Sequence, residues 1–372
     1  MKKKILIFIP GFEYKKNHSQ TFVKTRIEQY IENGHEVDIL SISKNKVTKN
    51  KNGLNITNFK NYNEINRFLE SNIQNYDLLF VHFITFQFIK IINNLKKINI
   101  VIWIHGIEGQ KWNWYLFDIF AKPFWLFKHI IYNILHLRLF RKFVLKKKDN
   151  VKFIFVSNWM KEVFFRDLGV NINKKNYSII PNPVDSIFFN KISRPLKINN
   201  NILILKNFSS LKYAGDITIK YILKLSKTKT FKYYNFTIIG KGKILDKNIK
   251  FLKFSNIKII NTFISSKKLL NYQKKNCVFI YLTRMDSQSV TLSEALSSGM
   301  VCISSFNTAI PEFIDNKKDG FLIKNYDDFL KVLKLLKNNS KLINKISKRS
   351  LSRSQILRSN KIFNKEKLFI KL

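Results

Sequence analysis

From residue 4 onward, short apolar runs alternate with longer stretches whose apolar positions recur every three to four residues. In the first half the runs are Lys4–Ile9, Val37–Ser41, Leu78–His82, Ile100–Ile104, Phe153–Val156 and Tyr177–Ile180. They are rich in β-branched residues and lack apolar/polar alternation, which predicts parallel strands covered on both faces. Each precedes a polar or glycine turn and a helix-period segment, such as Thr21–Asn33 before Gly34. Asn158–Leu168 is another, with Ser157 as N-cap and Gly169 as the stop. Pro181-Asn-Pro-Val-Asp185 then breaks the rhythm, and Lys191–Asn201, with Pro195, has the polar composition of a linker. New runs follow at Ile202–Leu205, Phe236–Ile239, Ile257–Ile260, Val278–Leu282 and Val301–Ser304. The pattern predicts an α/β protein of two Rossmann-like, doubly wound parallel-sheet domains facing a central cleft. The expected domains are residues 1–190 and 191–350, with a C-terminal helix at 351–372 that could return to the first domain. Asp327–Leu372 reads as helical, Lys-rich and poor in Gly and Pro, and the chain has no tandem repeat or heptad array.

One segment departs from this rhythm. Lys111–Lys148 carries Trp112, Trp114 and Trp125 among Lys, Arg and His, and ends on Lys146-Lys-Lys148. Rings and aliphatic side chains mixed with cations suit a helix lying at an anionic bilayer surface. A pair of helices packed on the sheet, with the rings in the core, is the alternative.

Composition narrows the function. Lys and Arg number 67 against 24 Asp and Glu in 372 residues, a formal net charge of +43, and such a potential recruits polyanions. Yet Lys, Asn, Ile and Phe, all with A/T-rich codons, crowd the whole chain, so base bias offers a second origin for the charge. With 45% hydrophobic residues the chain can bury a core and is not disordered. Two cysteines, Cys277 and Cys302, make neither a disulfide framework nor a thiolate metal site, and a reducing cytoplasm is expected. The N-terminal MKKKILIFIPGF is too short in its apolar stretch for a signal peptide, has no small-residue cleavage site and runs into Glu13 and Lys15. No uncharged apolar run reaches the ~20 residues that span a bilayer, so membrane contact would be peripheral.

In so basic a chain the acids are informative. After Glu162 only Glu294, Glu312 and Glu366 occur among the glutamates, two of them in SQSVTLSEALSSGMVCISSFNTAIPEFI. Glu294 falls in the first turns of a helix expected from Ser289 to Gly299, with Asp286 in the loop ahead of it. A strand, loop and helix start of this kind is where open α/β sheets bind ligands, with backbone N–H groups aimed at phosphate. Asp286 alone could equally cap the helix. The six histidines form no ligand-spaced set and no D-x-D occurs, so no metal site is expected. His82, ending a strand, reads as a structural histidine.

Asp286 and Glu294 are separated by seven residues, and this spacing resembles the E-x7-E signature of the retaining GT-B glycosyltransferases of family four. Further elements agree in order: Gly11 after the first strand, Gly34-His35-Glu36-Val37, and His105-Gly106-Ile107-Glu108. Then come Val156-Ser157 before Ile180-Pro181-Asn182-Pro183-Val184-Asp185, Gly240-Lys241-Gly242 after a strand, and Ala309-Ile310-Pro311-Glu312 with Asp319-Gly320-Phe321-Leu322. The resemblance spans roughly residues 1 to 330. It implies that Glu294 accepts the ribose hydroxyls of a nucleotide and that Asp286 holds hydroxyls of the donor sugar. Ser287, Gln288, Ser289 and Val290 would offer backbone N–H groups to the pyrophosphate and sugar. It also implies that His105 lies beside the donor sugar, that Gly11 and Gly240 line the donor site, and that Lys206 and Lys212 neutralise the diphosphate. Glu108 could bind acceptor or pair with a neighbouring Lys.

The sequence departs from the family pattern at Asp286, where Glu is usual, at Ser287 and Ser289, where glycines are frequent, and at Lys206, where Arg is common. The implied activity is sugar transfer with retention from a nucleotide-sugar, without metal or cofactor, to a glycan or lipid-linked acceptor in lipopolysaccharide, capsule or O-antigen assembly. The expected location is the anionic inner leaflet of the plasma membrane, reached from the cytoplasm. Two alternatives are a non-catalytic GT-B-fold binding subunit and a nucleic-acid binder. The second would concentrate aromatics and cations on a strand platform or in one stripe, whereas Lys is spread throughout.

Overall fold

The computed structural model describes residues 2–12, 20–43, 47–51, 54–95, 98–118, 123–146, 150–189 and 200–372. Glu13, Lys15, Lys147, Lys148 and residues 191–199 of the expected linker lie outside them. The described residues form two compact units, one from 2–12, 22–183 and 359–372, the other from 20–21, 184–189 and 200–358. The first unit thus closes at Pro183, ahead of the 190/191 boundary drawn from the sequence.

The first unit is built on strands β1 (Lys4–Phe8), β2 (Glu36–Ile42), β3 (Val47–Lys51), β4 (Leu54–Phe59), β5 (Leu78–His82), β6 (Asn99–Ile104), β7 (Val151–Phe155) and β8 (Tyr177–Ile179). Their order is β3-β4-β2-β1-β5-β6-β7-β8, every pair parallel except β3 with β4. Helices α1 (Thr21–Glu32), α2 (Tyr62–Asn72), α3 (Phe86–Asn94), α4 (Pro123–Lys146) and α5 (Asn158–Leu168) connect them. The continuous apolar runs follow from two covered faces, because successive side chains of a strand point to opposite sides. Ile5 and Ile7 pack in one core with Val23, Ile27 and Tyr30 of α1, while Leu6 and Phe8 enter the other with Phe88 and Ile92 of α3. Ser157 caps α5 by accepting from Met160 N, and Gly169, at φ +63°, ends it.

Helix α4 is apolar on two sides. Asn133, His136, Leu137, Phe140, Phe143 and Val144 are buried, whereas Phe124 (86% exposed), Phe127 (66%), Ile131, Ile134 and Leu135 face solvent at helical spacing. The 3-10 turn before it, Trp112–Asp118, is tied inward. Trp114 Nε1 donates to Asp167 Oδ2 at 2.9 Å, and its ring meets Trp159 edge-on at 5.2 Å. Trp114 is thus packed, as the sheet-packing alternative expected, while Phe124 and Phe127 face solvent.

The second unit carries β9 (Asn201–Asn207), β10 (Asn235–Lys241), β11 (Ile257–Ile260), β12 (Val278–Tyr281), β13 (Val301–Ser305) and β14 (Phe321–Ile323) in the order β11-β10-β9-β12-β13-β14, all parallel. Helices α6 (Gly215–Leu225), α7 (Lys243–Asn248), α8 (Ser266–Lys274), α9 (Val290–Ser297), α10 (Ile310–Phe313), α11 (Tyr326–Leu336) and α12 (Ser340–Ser354) accompany them. The last helix, α13 (Ser359–Ile370), belongs to the first unit, where Ile362, Phe363 and Ile370 enter the α1 core. Glu366 is fully buried there, its carboxylate accepting Arg26 Nε and the Tyr30 hydroxyl, each at 2.6 Å. No helix among the described residues is long and apolar enough to cross a membrane.

Candidate active site

In the second sheet the strand order reverses between β9 and β12, and the carboxyl ends of those strands carry the residues singled out from the sequence. β12 delivers Tyr281, a loop holds Asp286, Ser287 and Gln288, and Ser289 starts α9 by accepting from Leu292 N at 3.1 Å. Gly299, at φ +69°, follows the helix. Asp286, Ser287, Gln288, Ser289 and Glu294 are buried, and Val290 is half-buried.

Asp286 is held from several directions. The Tyr281 hydroxyl donates to Oδ2 at 2.9 Å, Asp286 N donates to Thr308 Oγ1 at 3.0 Å, and Asp286 O accepts Ala309 N. Thr308 sits at φ +47°, a left-handed conformation that costs a β-branched residue roughly 1–3 kcal/mol and places its hydroxyl under the loop. Burial raises the Asp286 pKa, while the Lys212 ammonium, the Tyr281 hydroxyl and the Gln288 N–H act against that rise.

Lys206 ends β9 fully enclosed. Its Nζ donates to Leu282 O and, at 3.0 Å, to Tyr213 O, and lies 4.5 Å from the centre of the Tyr281 ring. Burial lowers its pKa to about 7. Two carbonyls thus already use the ammonium that the sequence reading assigned to a diphosphate. Lys212 is half-buried, and its carbonyl accepts Arg284 N and Thr283 Oγ1, pinning its turn to the loop ahead of Asp286.

Glu294 is the other buried acid, and among the described residues its carboxylate has no hydrogen-bond partner. Burial first, then repulsion from Asp185, pushes its pKa up to about 8. A carboxylate in a buried residue with no protein donor is suited to accept hydroxyls from a ligand. Gly240 has a packing role that the sequence did not show. It sits at φ +149° beside Lys206 on the neighbouring strand, where a Cβ would lie 1.9 Å from Lys206 O.

In the first unit, His105 follows β6. Its Nε2 lies 3.0 Å from His82 Nδ1, and its backbone N–H donates to Glu108 Oε1. Phe83 and Phe22 flank the ring at 4.5 and 5.1 Å between centroids. Burial, aided at His82 by the neighbouring His105 and at both rings by the Arg26 guanidinium, lowers both imidazoles well below the usual histidine range. Glu108 is buried, its carbonyl meets His136 Nε2 at 2.9 Å, and its carboxylate joins it to the His105 backbone. Gly11, at φ +67° in the loop after β1, has open space where a side chain would project.

The structure therefore gathers Asp286, Ser287, Gln288, Ser289, Val290, Glu294 and Lys212 at one sheet edge, with Lys206 behind them, and joins His105 to Glu108. Sequence reasoning gave no role to Tyr281, Thr308 or Asp185 and missed the His82–His105 pair. Asp185 stood inside a recognised motif. Tyr281 ended a predicted strand next to the Asp286 loop, and this proximity was the only available signal for it.

Two doubly wound sheets with an acid-bearing loop at the switch point of the second define a GT-B-type protein, and solved structures agree in fold. Sucrose-phosphate synthase from Thermosynechococcus elongatus superposes with a TM-score of 0.76 at 10% identity, over 100% of this chain and 99% of that one. Anabaena Alr3699/HepE in complex with UDP-glucose does so with a TM-score of 0.70 at 11% identity, over 99% of each chain. Glycosyl transferases group 1 match residues 190–353 and Glycosyltransferase Family 4 matches residues 19–187, so the chain belongs to the glycosyltransferases of the group 1 and family 4 type. It is also 24% identical over 151 residues to the alpha-monoglucosyldiacylglycerol synthase of Acholeplasma laidlawii. That stretch covers 39% of this chain and 37% of the relative.

Proposed function

We propose that the protein is a retaining glycosyltransferase that moves a sugar from a nucleotide-sugar to a membrane-associated acceptor in lipopolysaccharide, capsule or O-antigen type assembly. The observation that carries this reading is the loop and helix from Asp286 to Glu294 at the switch point of the second sheet. There Glu294 keeps a buried carboxylate without donors and Asp286 is fixed by Tyr281 and Thr308. Glu294 would take the ribose hydroxyls and Asp286 the sugar hydroxyls. The barrier lies in parting a diphosphate from an oxocarbenium-like sugar, so preorganised positive groups supply much of the stabilisation. Lys212 and the N–H groups of Ser287–Val290 take this role without a metal, and Lys206 supports Tyr281 from beneath. His105 would lie beside the donor sugar, Gly11 would admit the donor closely and Glu108 would hold the loop that carries His105.

The outward apolar face of α4 supports a membrane-bound acceptor reached from the cytoplasmic leaflet, as does likeness to a protein named for a diacylglycerol product. The committed Lys206 ammonium favours a second reading, a binding subunit that does not turn over.

One experiment separates the two. A panel of nucleotide-sugars is offered to the wild-type protein and to Glu294→Ala, and transfer, hydrolysis and binding are measured. The expected result is turnover that drops by at least about a hundredfold in kcat/KM in the variant. Equal rates would overturn the site assignment, and binding without turnover in the wild type would favour the subunit. Mass spectrometry of co-purified nucleotide-sugars would name the donor, and the anomeric configuration of the product would test retention.

A further inference from the structure

We propose that Arg284 is a positioning residue: its guanidinium locks the turn Leu211–Tyr213 to the start of α6 and so fixes the Lys212 ammonium within electrostatic reach of Asp286. The consequence for catalysis rests on the reading that Lys212 neutralises the donor diphosphate; the lock itself does not.

Three consecutive carbonyls of the turn are gripped. Leu211 O accepts Arg284 Nη1 at 2.6 Å, Lys212 O accepts Arg284 N at 2.9 Å and Thr283 Oγ1 at 3.0 Å, and Tyr213 O accepts Lys206 Nζ at 3.0 Å. Arg284 therefore holds two of the three, one through its side chain and one through its backbone. The same guanidinium closes a fork on Asp216, with Nη1 donating to Oδ1 at 2.8 Å and Nη2 to Oδ2 at 2.6 Å. Two parallel bonds fix an angle as well as a distance, which the point charge of a lysine does not. Asp216 lies in the first turn of α6, where the helix dipole favours an anion. Burial opposes its ionisation, but the Arg284 hydrogen bonds and charge outweigh that and hold the carboxyl below its usual range.

The turn needs this holding. Ala214, which ends it, sits at φ +50° with its N–H on Leu211 O, and a left-handed backbone persists at a residue with a side chain only where the surroundings impose it. Lys212 stands between the gripped carbonyls, and its ammonium acts through space on the Asp286 carboxyl. Arg284 is not free to take that part. Two acceptors use both hydrogens of Nη1 and a third uses one of Nη2, so the fork braces the turn from within the protein. The side chains of Arg284 and Asp216 are 25% and 38% exposed, so replacing either one strands no fully buried charge and the variants can fold.

The test uses the full-length protein and the variants Arg284→Met, Asp216→Asn and Lys212→Met, each checked for fold by circular dichroism. Amide hydrogen exchange read by NMR reports on the lock without turnover. In Arg284→Met the amides of residue 284 and Ala214, which donate into the turn, should exchange at least about tenfold faster, while those of β10 and β13 keep their rates. Unchanged exchange at both sites would overturn the proposal. Equal acceleration in β10 and β13 would overturn it too, because Arg284 would then serve the fold as a whole. Kinetics with the donor identified from the nucleotide-sugar panel report on the link to Lys212. Arg284→Met and Asp216→Asn should each lower kcat at least about tenfold at nearly constant donor KM. In the Lys212→Met background, Arg284→Met should change kcat by less than about twofold, since a residue that acts through Lys212 has nothing left to position there. Losses that multiply would show Arg284 acting on its own and overturn the proposal. A Lys212→Met variant as active as wild type would sink the diphosphate reading, and the exchange rates would still decide the lock, so the two failures are distinguishable.

Discussion

At the residue scale the protein turns on a few acids in a basic chain, and Glu294 makes a pH-dependent prediction. Its carboxyl ionises near its ordinary value when the chain is unfolded but only at about 8 when folded. The proton-bound form therefore contributes stability that is fully present below the unfolded value and is lost as pH rises through about 8. Glu294→Gln mimics the protonated form and cannot lose it. Urea unfolding at pH 5 and pH 8.5 should show wild type falling relative to the variant by on the order of 4 kcal/mol at the higher pH. A difference between the two proteins that does not change with pH would refute the placement of a lone carboxyl there. Ligand hydroxyls that donate to Glu294 require its ionised form. Nucleotide affinity should therefore tighten from pH 6 to pH 8, by up to about tenfold per pH unit, and Glu294→Gln should abolish that slope in titration calorimetry. Asp286 and Glu294 were legible because acids are scarce and their spacing is distinctive. Tyr281 and Thr308 were not, because their roles depend on a side chain folding back over a loop and on a left-handed backbone, neither of which leaves a local pattern.

At the element scale, the parallel strands were legible for one physical reason: strands with two covered faces must be apolar throughout. The same reason explains the misses. β4, Leu54-Asn-Ile-Thr-Asn-Phe, alternates, and its partner β3 is mostly polar in sequence, so the hairpin at the sheet edge had no continuous run to reveal it. β14, only three residues long, lies at the other sheet's edge. The C-terminal stretch was legible as helix but not in its breaks, which fall near Asn338, at φ +56°, and at Arg358 between α12 and α13. Helix α13 is fastened by chemistry as well as by Ile362, Phe363 and Ile370. Glu366 accepts from both Arg26 and Tyr30, and the same Arg26 donates to Asn182 Oδ1 at 2.9 Å and to Pro181 O. Glu366→Ala strands a buried guanidinium and should destabilise the first unit by roughly 3–5 kcal/mol in chemical denaturation. Glu366→Gln, which keeps an acceptor, should cost clearly less. Equal losses would mean that shape rather than charge holds the helix.

At the scale of the whole molecule, the +43 charge asks what polyanion it meets, and α4 argues for a bilayer. Charge alone would serve nucleic acid equally well, but nucleic acid gives no use to an outward row of Phe124, Phe127, Ile131, Ile134 and Leu135. Lys128, Arg138, Arg141, Lys142 and Lys146 are exposed on the same helix, so one surface combines rings that can enter the headgroup layer with cations that meet anionic lipid. Near such a surface each cation is worth about 1 kcal/mol and is screened by salt, whereas buried apolar area, at ~25 cal/mol per Å², is not. The two contributions can therefore be separated. In flotation with vesicles containing anionic lipid, wild type should rise with the vesicles at low salt and retain part of its binding at high salt. Serine at Phe124, Phe127 and Ile131 should weaken binding about a hundredfold and remove the salt-resistant part, leaving what charge alone provides. Binding that vanishes completely with salt in both proteins would mean that the apolar face of α4 does not enter the bilayer, and the acceptor would then have to be sought in solution.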